Sequence, residues 1–408
     1  MRICLVSSGF EEKNITLQPW NFIIQSAISL SSLSFDVRIL TDGDPSNPRE
    51  RNLAGLPVIR TSRINKLILG SSNQMIQSMI SMNPEVILWH FGIFSYFAIR
   101  KISQISNAKI IALLTTPVYF PEELSRLGVK KLLRNIRLTL YLIFGKNLLT
   151  LFIRLSLKKK ILCQVIVECE TTRKRLISCG VPGESIHVIK PGIDPDWVDY
   201  DVDESEIINI RKSNGFTDSD YVIGYFGPPK PFRGLDILIE SIPQALKQNP
   251  DIKLLILSRQ WDEELDKEFN NIQRLLKKLD NRNWSRMVEG FLPKRSLIRM
   301  VASCDLIALP FEIITSDVPL SVLETVALGV PIISTNVACI PELIPRNSGF
   351  LIEPGNVEFL IDAICSISSG AISKSNCLNS ETKRSLNWMT QGENIELWGE
   401  VINNAFIR

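Results

Sequence analysis

Short apolar, β-branched runs alternate along the chain with segments whose apolar positions recur every three or four residues. Ile3–Val6 reads as a strand, Trp20, Ile23, Ile24, Ala27 and Ile28 as one face of a helix, and Val37–Leu40 as a second strand, together a β-α-β unit. Val86–Trp89, Ile110–Leu114, Val165–Val167 and Val188–Ile189 continue the series. These runs are apolar throughout rather than alternating, as strands are when helices cover both faces of a mainly parallel sheet. Pro191, Gly192 and Pro195, set among Asp194, Asp196, Asp199, Asp201, Asp203, Glu204 and Glu206, break the rhythm and predict a linker over 191–220. A second series follows, with strands at Val222–Phe226, Ile252–Leu257, Leu306–Leu309 and Ile332–Ser334 and helices through Leu235–Leu246, up to Leu279 and after Pro319. The tail holds Trp388, Ile395, Leu397, Trp398, Val401 and Ile402, the later ones spaced as an amphipathic helix that must pack on another element.

A chain of 408 residues suits two such α/β domains, expected at 1–205 and 206–385, with 386–408 as a terminal helix. Hydrophobic residues at 45% and charged residues at 22% exclude a disordered or collagen-like chain, and a net charge of +3 excludes a globally basic nucleic-acid binder. Eight cysteines without a Cys-x-x-Cys pair read as reduced, buried thiols. Only two histidines occur, His90 and His187, neither clustered with other ligands, so no metal site is expected. The apolar run at the N-terminus is too short for a signal-peptide core, and the charge-free stretch 14–35 is interrupted by Gln18, Pro19, Asn21 and Gln25. Neither a secretory leader nor a membrane span is expected, and the expected location is the cytoplasm.

In open α/β sheets ligands bind beyond the carboxyl ends of the strands, where helix N-termini attract anions. Gly224-Tyr-Phe-Gly-Pro-Pro-Lys-Pro-Phe-Arg-Gly-Leu-Asp236 is a strand end, a Pro-rich turn carrying Lys230 and Arg233, and a helix start. Two cations there suit a diphosphate; the other reading is a solvated turn, although a cation at a helix N-terminus opposes the dipole. In Ser316-Asp-Val-Pro-Leu-Ser-Val-Leu-Glu324-Thr-Val-Ala-Leu-Gly-Val-Pro331, Pro319 starts a helix and Gly329 ends it. Glu324 lies among Val322, Leu323, Val326 and Ala327, so it is either a buried group with a defined partner or a ligand-facing carboxylate, suited to a ribose diol; the other reading is an exposed helix face.

Phe226-Gly-Pro-Pro-Lys-Pro-Phe-Arg-Gly, Val288-Glu-Gly-Phe-Leu-Pro and Pro319-Leu-Ser-Val-Leu-Glu-Thr-Val-Ala-Leu-Gly-Val-Pro resemble the donor-binding half of the family 4 retaining glycosyltransferases. Ile340-Pro-Glu-Leu-Ile and Gly349-Phe-Leu-Ile-Glu-Pro-Gly continue the resemblance in order, and Ile186-His-Val-Ile-Lys-Pro-Gly-Ile-Asp194 resembles the approach to the interdomain hinge. The resemblance implies the GT-B fold: α/β, two Rossmann-like domains with mainly parallel sheets facing a central cleft, and a C-terminal helix crossing back to the first domain. It makes Glu324 the ribose-binding second glutamate of the Glu-x7-Glu motif. Gly227, Arg233, Lys230 and the helix start at Leu320 then face the donor diphosphate, and Gly290 and Phe291 the base. Pro228 stands where the family has an arginine, with Lys230 as a substitute. The first motif glutamate is replaced by Ser316, with Asp317 one residue later, so Ser316 and Asp317 are the candidates for its place near the transferred sugar. His90, at the end of Val86-Ile-Leu-Trp-His, resembles a family histidine near donor sugar and acceptor; a satisfied core histidine is the other reading. His187 reads as structural. Gln18-Pro-Trp20 opens a helix either as plain core or as a wall of an acceptor pocket.

From Arg126 to Lys160 there are ten basic residues and no acidic one. Lys130, Lys131, Arg134 and Arg137 are expected to contact an anionic membrane surface, with Val129, Leu132, Ile136, Leu140 and Ile143 on an apolar side. The expected function is metal-independent, retaining transfer from a UDP- or GDP-sugar, without a cofactor or nucleic acid, to a glycan or lipid-linked acceptor at the inner face of the cytoplasmic membrane. The alternative is a non-catalytic GT-B scaffold that binds nucleotide or glycan within a glycan-assembly complex.

Overall fold

The computed structural model describes residues 1–42, 49–61, 73–134, 136–201, 203–258, 263–280, 283–370 and 391–407. The first domain carries an eight-stranded sheet of β1 (Arg2–Val6), β2 (Asp36–Thr41), β3 (Glu50–Leu53), β4 (Leu56–Arg60), β5 (Val86–His90), β6 (Lys109–Leu114), β7 (Gln164–Val167) and β8 (Ile186–Val188). Its order is β3-β4-β2-β1-β5-β6-β7-β8, parallel except for the antiparallel pair β3–β4 at one edge. Helices α1 (Trp20–Ser32), α2 (Asn73–Met82), α3 (Ser95–Ile102), α4 (Pro121–Ser125), α5 (Val129–Arg134), α6 (Ile136–Lys158) and α7 (Glu170–Ser178) surround it. The alternation of side chains along β1 sorts the two faces: Ile3 and Leu5 pack with Phe22 and Ile23 of α1, and Cys4 and Val6 with Met75 of α2, Ile99 of α3 and Ile153 of α6.

Two short helices, α8 (Pro195–Val198) and α9 (Glu204–Ser213), occupy the segment expected as a plain linker. Trp197 of α8 is buried and stacks on Phe226 at 6.2 Å, and Arg211 of α9 pairs with Asp305 at 2.7 Å, so this segment is fastened to the second domain. That domain holds a six-stranded, all-parallel sheet: β9 (Tyr221–Phe226), β10 (Ile252–Ser258), β11 (Ser285–Glu289), β12 (Leu306–Ala308), β13 (Ile332–Thr335) and β14 (Gly349–Ile352), in the order β11-β10-β9-β12-β13-β14. Its helices are α10 (Leu235–Ala245), α11 (Glu263–Leu279), α12 (Lys294–Ala302), α13 (Leu320–Ala327), α14 (Ile340–Leu343) and α15 (Val357–Ser368). The terminal helix α16 (Gln391–Ile407) returns to the first domain, where Trp398, Val401 and Ile402 are buried against α1 and the Trp398 ring lies 6.3 Å from that of Phe22. Trp388 and the boundary expected at 385/386 lie outside the described residues.

Candidate active site

The carboxyl ends of the two sheets face each other across a cavity of about 740 Å³ lined from both domains. On the second-domain side β9 is followed by Gly227, whose φ of +126° belongs to glycine, and the turn leads back to α10 through Gly234. A Cβ on Gly234 would meet the Pro310 carbonyl oxygen at 1.9 Å, so only glycine lets the turn pack there. This close packing delivers Arg233 into the cleft. Its guanidinium carbon lies 4.9 Å from the Phe311 ring centre, Nη2 is 3.5 Å from Ser321 Oγ, and Nε is buried without a hydrogen-bond partner. A half-buried guanidinium with an unpartnered N–H is chemically suited to donate to an anion.

Glu324, one turn into α13, lines the same cavity. Burial, reinforced by the negative charge of Asp194 and opposed by Arg233, pushes its carboxyl up to about 8. Below that pH the carboxyl is neutral. Leu320, at the N-terminus of α13, also lines the cavity, as do Gly227, Lys230, Gly290 and Phe291. Lys230 and Phe291 are solvent-exposed at the rim. Asp194 was not singled out as a site residue from sequence; it lines the cleft and holds Lys294 at 2.6 Å.

On the first-domain side, His90 lines the cleft at the end of β5. Its Nδ1 lies 3.2 Å from Ser7 Oγ and its Nε2 2.9 Å from Thr115 Oγ1, while burial pulls its pKa down to about 4. It is therefore a neutral imidazole with a hydroxyl on each ring nitrogen, both a satisfied histidine and a cleft residue. Trp20 also lines the cavity and donates Nε1–H to the Ser8 carbonyl at 2.9 Å. Both amide atoms of Gln18, Thr116 Oγ1 and Ser258 Oγ are buried without described partners, and all three residues line the cavity. Thr116 and Ser258 escaped the sequence reading; their signal was position, just past the end of β6 and at the last residue of β10, where ligands bind.

Two expected site residues are corrected. Ser316 lines the cavity, but Asp317 does not; it is fully buried and points into the first domain. Its carboxylate accepts from Glu168 N–H at 3.2 Å, from the Cys169 thiol at 3.5 Å and from Thr172 Oγ1, while its own N–H donates to Thr115 O at 2.7 Å. Glu168 answers by accepting from Val318 N–H at 3.1 Å. Asp317 is thus an interdomain clamp rather than a group at the reacting sugar. Lys131 is not a membrane contact either: its ammonium sits 2.7 Å from Glu312, a buried carboxylate of the second domain, and 3.3 Å from Asp236. The side chains of Lys130, Arg134 and Arg137 lie outside the described residues.

Two parallel-sheet domains facing each other across a cleft, with a cation, a carboxyl and a helix N-terminus gathered on its second-domain side, define a GT-B fold. The comparisons agree: the model for glycosyltransferase family 4 matches residues 21–197 and that for glycosyl transferases group 1 matches residues 220–369. The chain belongs to this family of glycosyltransferases. A GDP-mannose-dependent monoacylated α-(1-6)-phosphatidylinositol monomannoside mannosyltransferase of Corynebacterium glutamicum is 28% identical over 160 residues, 38% of this chain and 39% of that one. The match thus spans about two fifths of that relative's length. Sucrose-phosphate synthase from Thermosynechococcus elongatus shares the fold with a TM-score of 0.77 at 15% identity, covering 100% of this chain and 99% of that one. HepE from Anabaena, crystallised with UDP-glucose, does so with a TM-score of 0.71 at 16% identity over 99% of each chain.

Proposed function

We propose that this protein is a retaining, metal-independent glycosyltransferase that moves a sugar from a UDP- or GDP-sugar to a glycan or lipid-linked acceptor at the cytoplasmic face of a membrane. The observation that carries the reading is the unpartnered Arg233 Nε and the half-buried Glu324 carboxyl in one cavity. The UDP-glucose bound by HepE and the GDP-mannose dependence of the Corynebacterium relative support a nucleotide-sugar donor. Arg233, Lys230 and the N–H groups opening α13 compensate the diphosphate, so the leaving group needs no metal ion. Glu324 takes the ribose diol. The acceptor hydroxyl attacks the anomeric carbon on the face that the diphosphate leaves, the sugar–phosphate bond breaks, and the departing phosphate oxygen takes the acceptor proton. His90, already neutral, exchanges a hydroxyl partner for a sugar hydroxyl.

A second reading, a non-catalytic nucleotide-binding scaffold, is favoured by one observation: with Ser316 in the cleft and Asp317 turned away, the loop before α13 offers the sugar no carboxylate. Thermal unfolding with UDP, GDP and ADP, followed by donor turnover with the nucleotide that binds, separates the two. Saturation at about 100 times Kd adds roughly 2.7 kcal/mol of stability. Binding with turnover supports the transferase, binding without turnover on any glycan or lipid acceptor the scaffold, and no shift with any of the three nucleotides rejects both.

Glu324→Gln is expected to weaken nucleotide binding by roughly 10–100-fold above pH 8, where the wild-type group is a carboxylate, the cost of one charge-assisted hydrogen-bond site. It is also expected to stabilise the empty protein. The unfolded carboxyl titrates near 4.5 and the folded one near 8, so wild-type stability falls as pH rises through that window. The melting-temperature advantage of the variant should therefore be absent near pH 4 and grow towards pH 8. A flat difference across that range would contradict the buried carboxyl.

A further inference from the structure

Helix α6 buries one side and carries large exposed apolar side chains on the other. At about 100° per residue, Thr139, Leu149, Ile153 and Ser156 share one side, where they are buried on the first domain. Ile136, Leu140, Phe144, Leu148 and Leu151 fall within an arc of about 120° on the other side. All five are exposed, Phe144 to 55% and Leu140 to 45%. The stripe runs roughly 22 Å along the helix at 1.5 Å per residue. It does not stop at the helix. Phe152 stacks on Tyr96 of α3 at 5.0 Å and meets Phe97 edge-on at 5.7 Å, and Phe97 is itself exposed. One turn before Phe97 stands Phe94, 64% exposed and part of the cleft lining. An apolar track thus leads from the mouth of the cleft, over α3, onto the outer face of α6. Single exposed hydrophobes need no explanation, but a row of five along one side of a helix, broken in its arc by exposed Asn147, marks an interaction site.

The charge around it selects the partner. The segment from Arg126 to Lys160 carries ten basic residues and no acidic one, and Arg154, Lys158, Lys159 and Lys160 are exposed at the end of α6. A surface that is at once flat, apolar beneath and anionic on top is a bilayer containing acidic phospholipid. Among the described residues no helix is long and apolar enough to cross a membrane, so a bilayer contact made by α6 would run along the surface.

We infer that the outer face of α6, together with Phe94 and Phe97, docks on an anionic bilayer, and that the acceptor reaches the cleft as the polar head of a lipid held in that bilayer. The second half rests on the glycosyltransferase reading above; the docking itself does not. It also moves the membrane contact away from Lys131, which is committed to Glu312, onto an apolar face that α6 presents along its length.

The test is co-sedimentation of the full chain with phosphatidylglycerol/phosphatidylcholine vesicles and with phosphatidylcholine alone, at about 0.15 M salt, where the Debye length is near 8 Å. Wild type should sediment with the anionic vesicles, and Leu140→Glu/Phe144→Glu should lose at least about tenfold in affinity, since each buried large side chain is worth more than a factor of ten. Phe97→Ser, on the neighbouring helix, should lose less but in the same direction. The replaced side chains are exposed, and unchanged nucleotide-induced melting shifts in both variants show that fold and donor site survive. Vesicle binding that neither variant alters overturns the docking face. So does a wild-type dimer that the double variant turns into monomers without any vesicle binding, which would make the stripe a contact between copies. Vesicle binding lost as expected in a protein that binds no nucleotide would leave the docking standing and reject the donor reading.

Discussion

Arg233→Ala is expected to lower nucleoside-diphosphate affinity by roughly 100-fold or more, the sum of two charge-assisted hydrogen bonds at about 1.5–3 kcal/mol each. Turnover should fall with it, because the same guanidinium meets the charge that grows on the leaving phosphate. The side chain is held for this purpose by packing and neutral groups rather than by a described salt bridge: it lies over Phe311, interacts with the Tyr225 hydroxyl, and has Nη2 3.5 Å from Ser321 Oγ, while Nε has no partner. The loss should thus appear in ligand affinity rather than in stability of the empty protein. Lysine at this position should rescue little, since an ammonium neither stacks on Phe311 in the same way nor offers a fork of donors. Gly227→Ala should reproduce much of the defect without touching a charge, because its Cβ would stand 2.8 Å from Arg233 Nη2. Isothermal titration with UDP and GDP measures all three variants. Nucleotide affinity unchanged in Arg233→Ala would end the diphosphate assignment.

Much of this architecture is legible in the chain because parallel strands buried on both faces write themselves as unbroken apolar runs, as Val86–Trp89 and Ile252–Leu257 do. The edge pair β3–β4 is not, since Glu50-Arg-Asn-Leu53 is mostly polar and its partner is interrupted by Pro57. Pairing there comes from the neighbouring strand, not from the local pattern. Arg233 and Glu324 were legible because a cation at a helix start and a carboxylate among apolar neighbours each violate a local preference. Asp317 and Lys131 were misread for one shared reason. Each forms its defining bonds with the other domain, Asp317 with Glu168, 149 positions away, and Lys131 with Glu312, 181 positions away. No local pattern announces such a partner. The outer stripe of α6 was half visible: Ile136 and Leu140 were assigned to an apolar side, but a helix with large apolar side chains on both sides does not say which side the core takes.

Asp317→Ala should cost on the order of 3 kcal/mol, the loss expected when a buried acceptor is removed and its donors are stranded. Those donors are the Glu168 N–H, the Cys169 thiol and the Thr172 hydroxyl. The loop they hold carries Ser316 and the start of α13, so activity should fall as well. Asp317→Asn should behave differently. Its carboxamide oxygen serves Glu168 N–H and the thiol, while its NH2 donates to the Thr172 hydroxyl, which accepts as readily as it donates. It also removes a charge that burial penalises, next to Glu168, whose own carboxyl is pushed up by burial and by the charge of Asp317. Burial raises the Asp317 carboxyl from 3.8 to about 6, so between those values the unfolded chain releases its proton first and the wild type loses stability as pH rises. Relative to wild type, Asp317→Asn should therefore gain on the order of 2–3 kcal/mol between pH 4 and pH 7, read from urea melts at a series of pH values. Kinetics decide the role. A clamp predicts that the Asn variant keeps turnover within a few-fold of wild type while the Ala variant does not, whereas a carboxylate acting on the sugar predicts that both lose it alike. Equal, large losses of kcat in a stable Asp317→Asn variant would return Asp317 to the reacting centre.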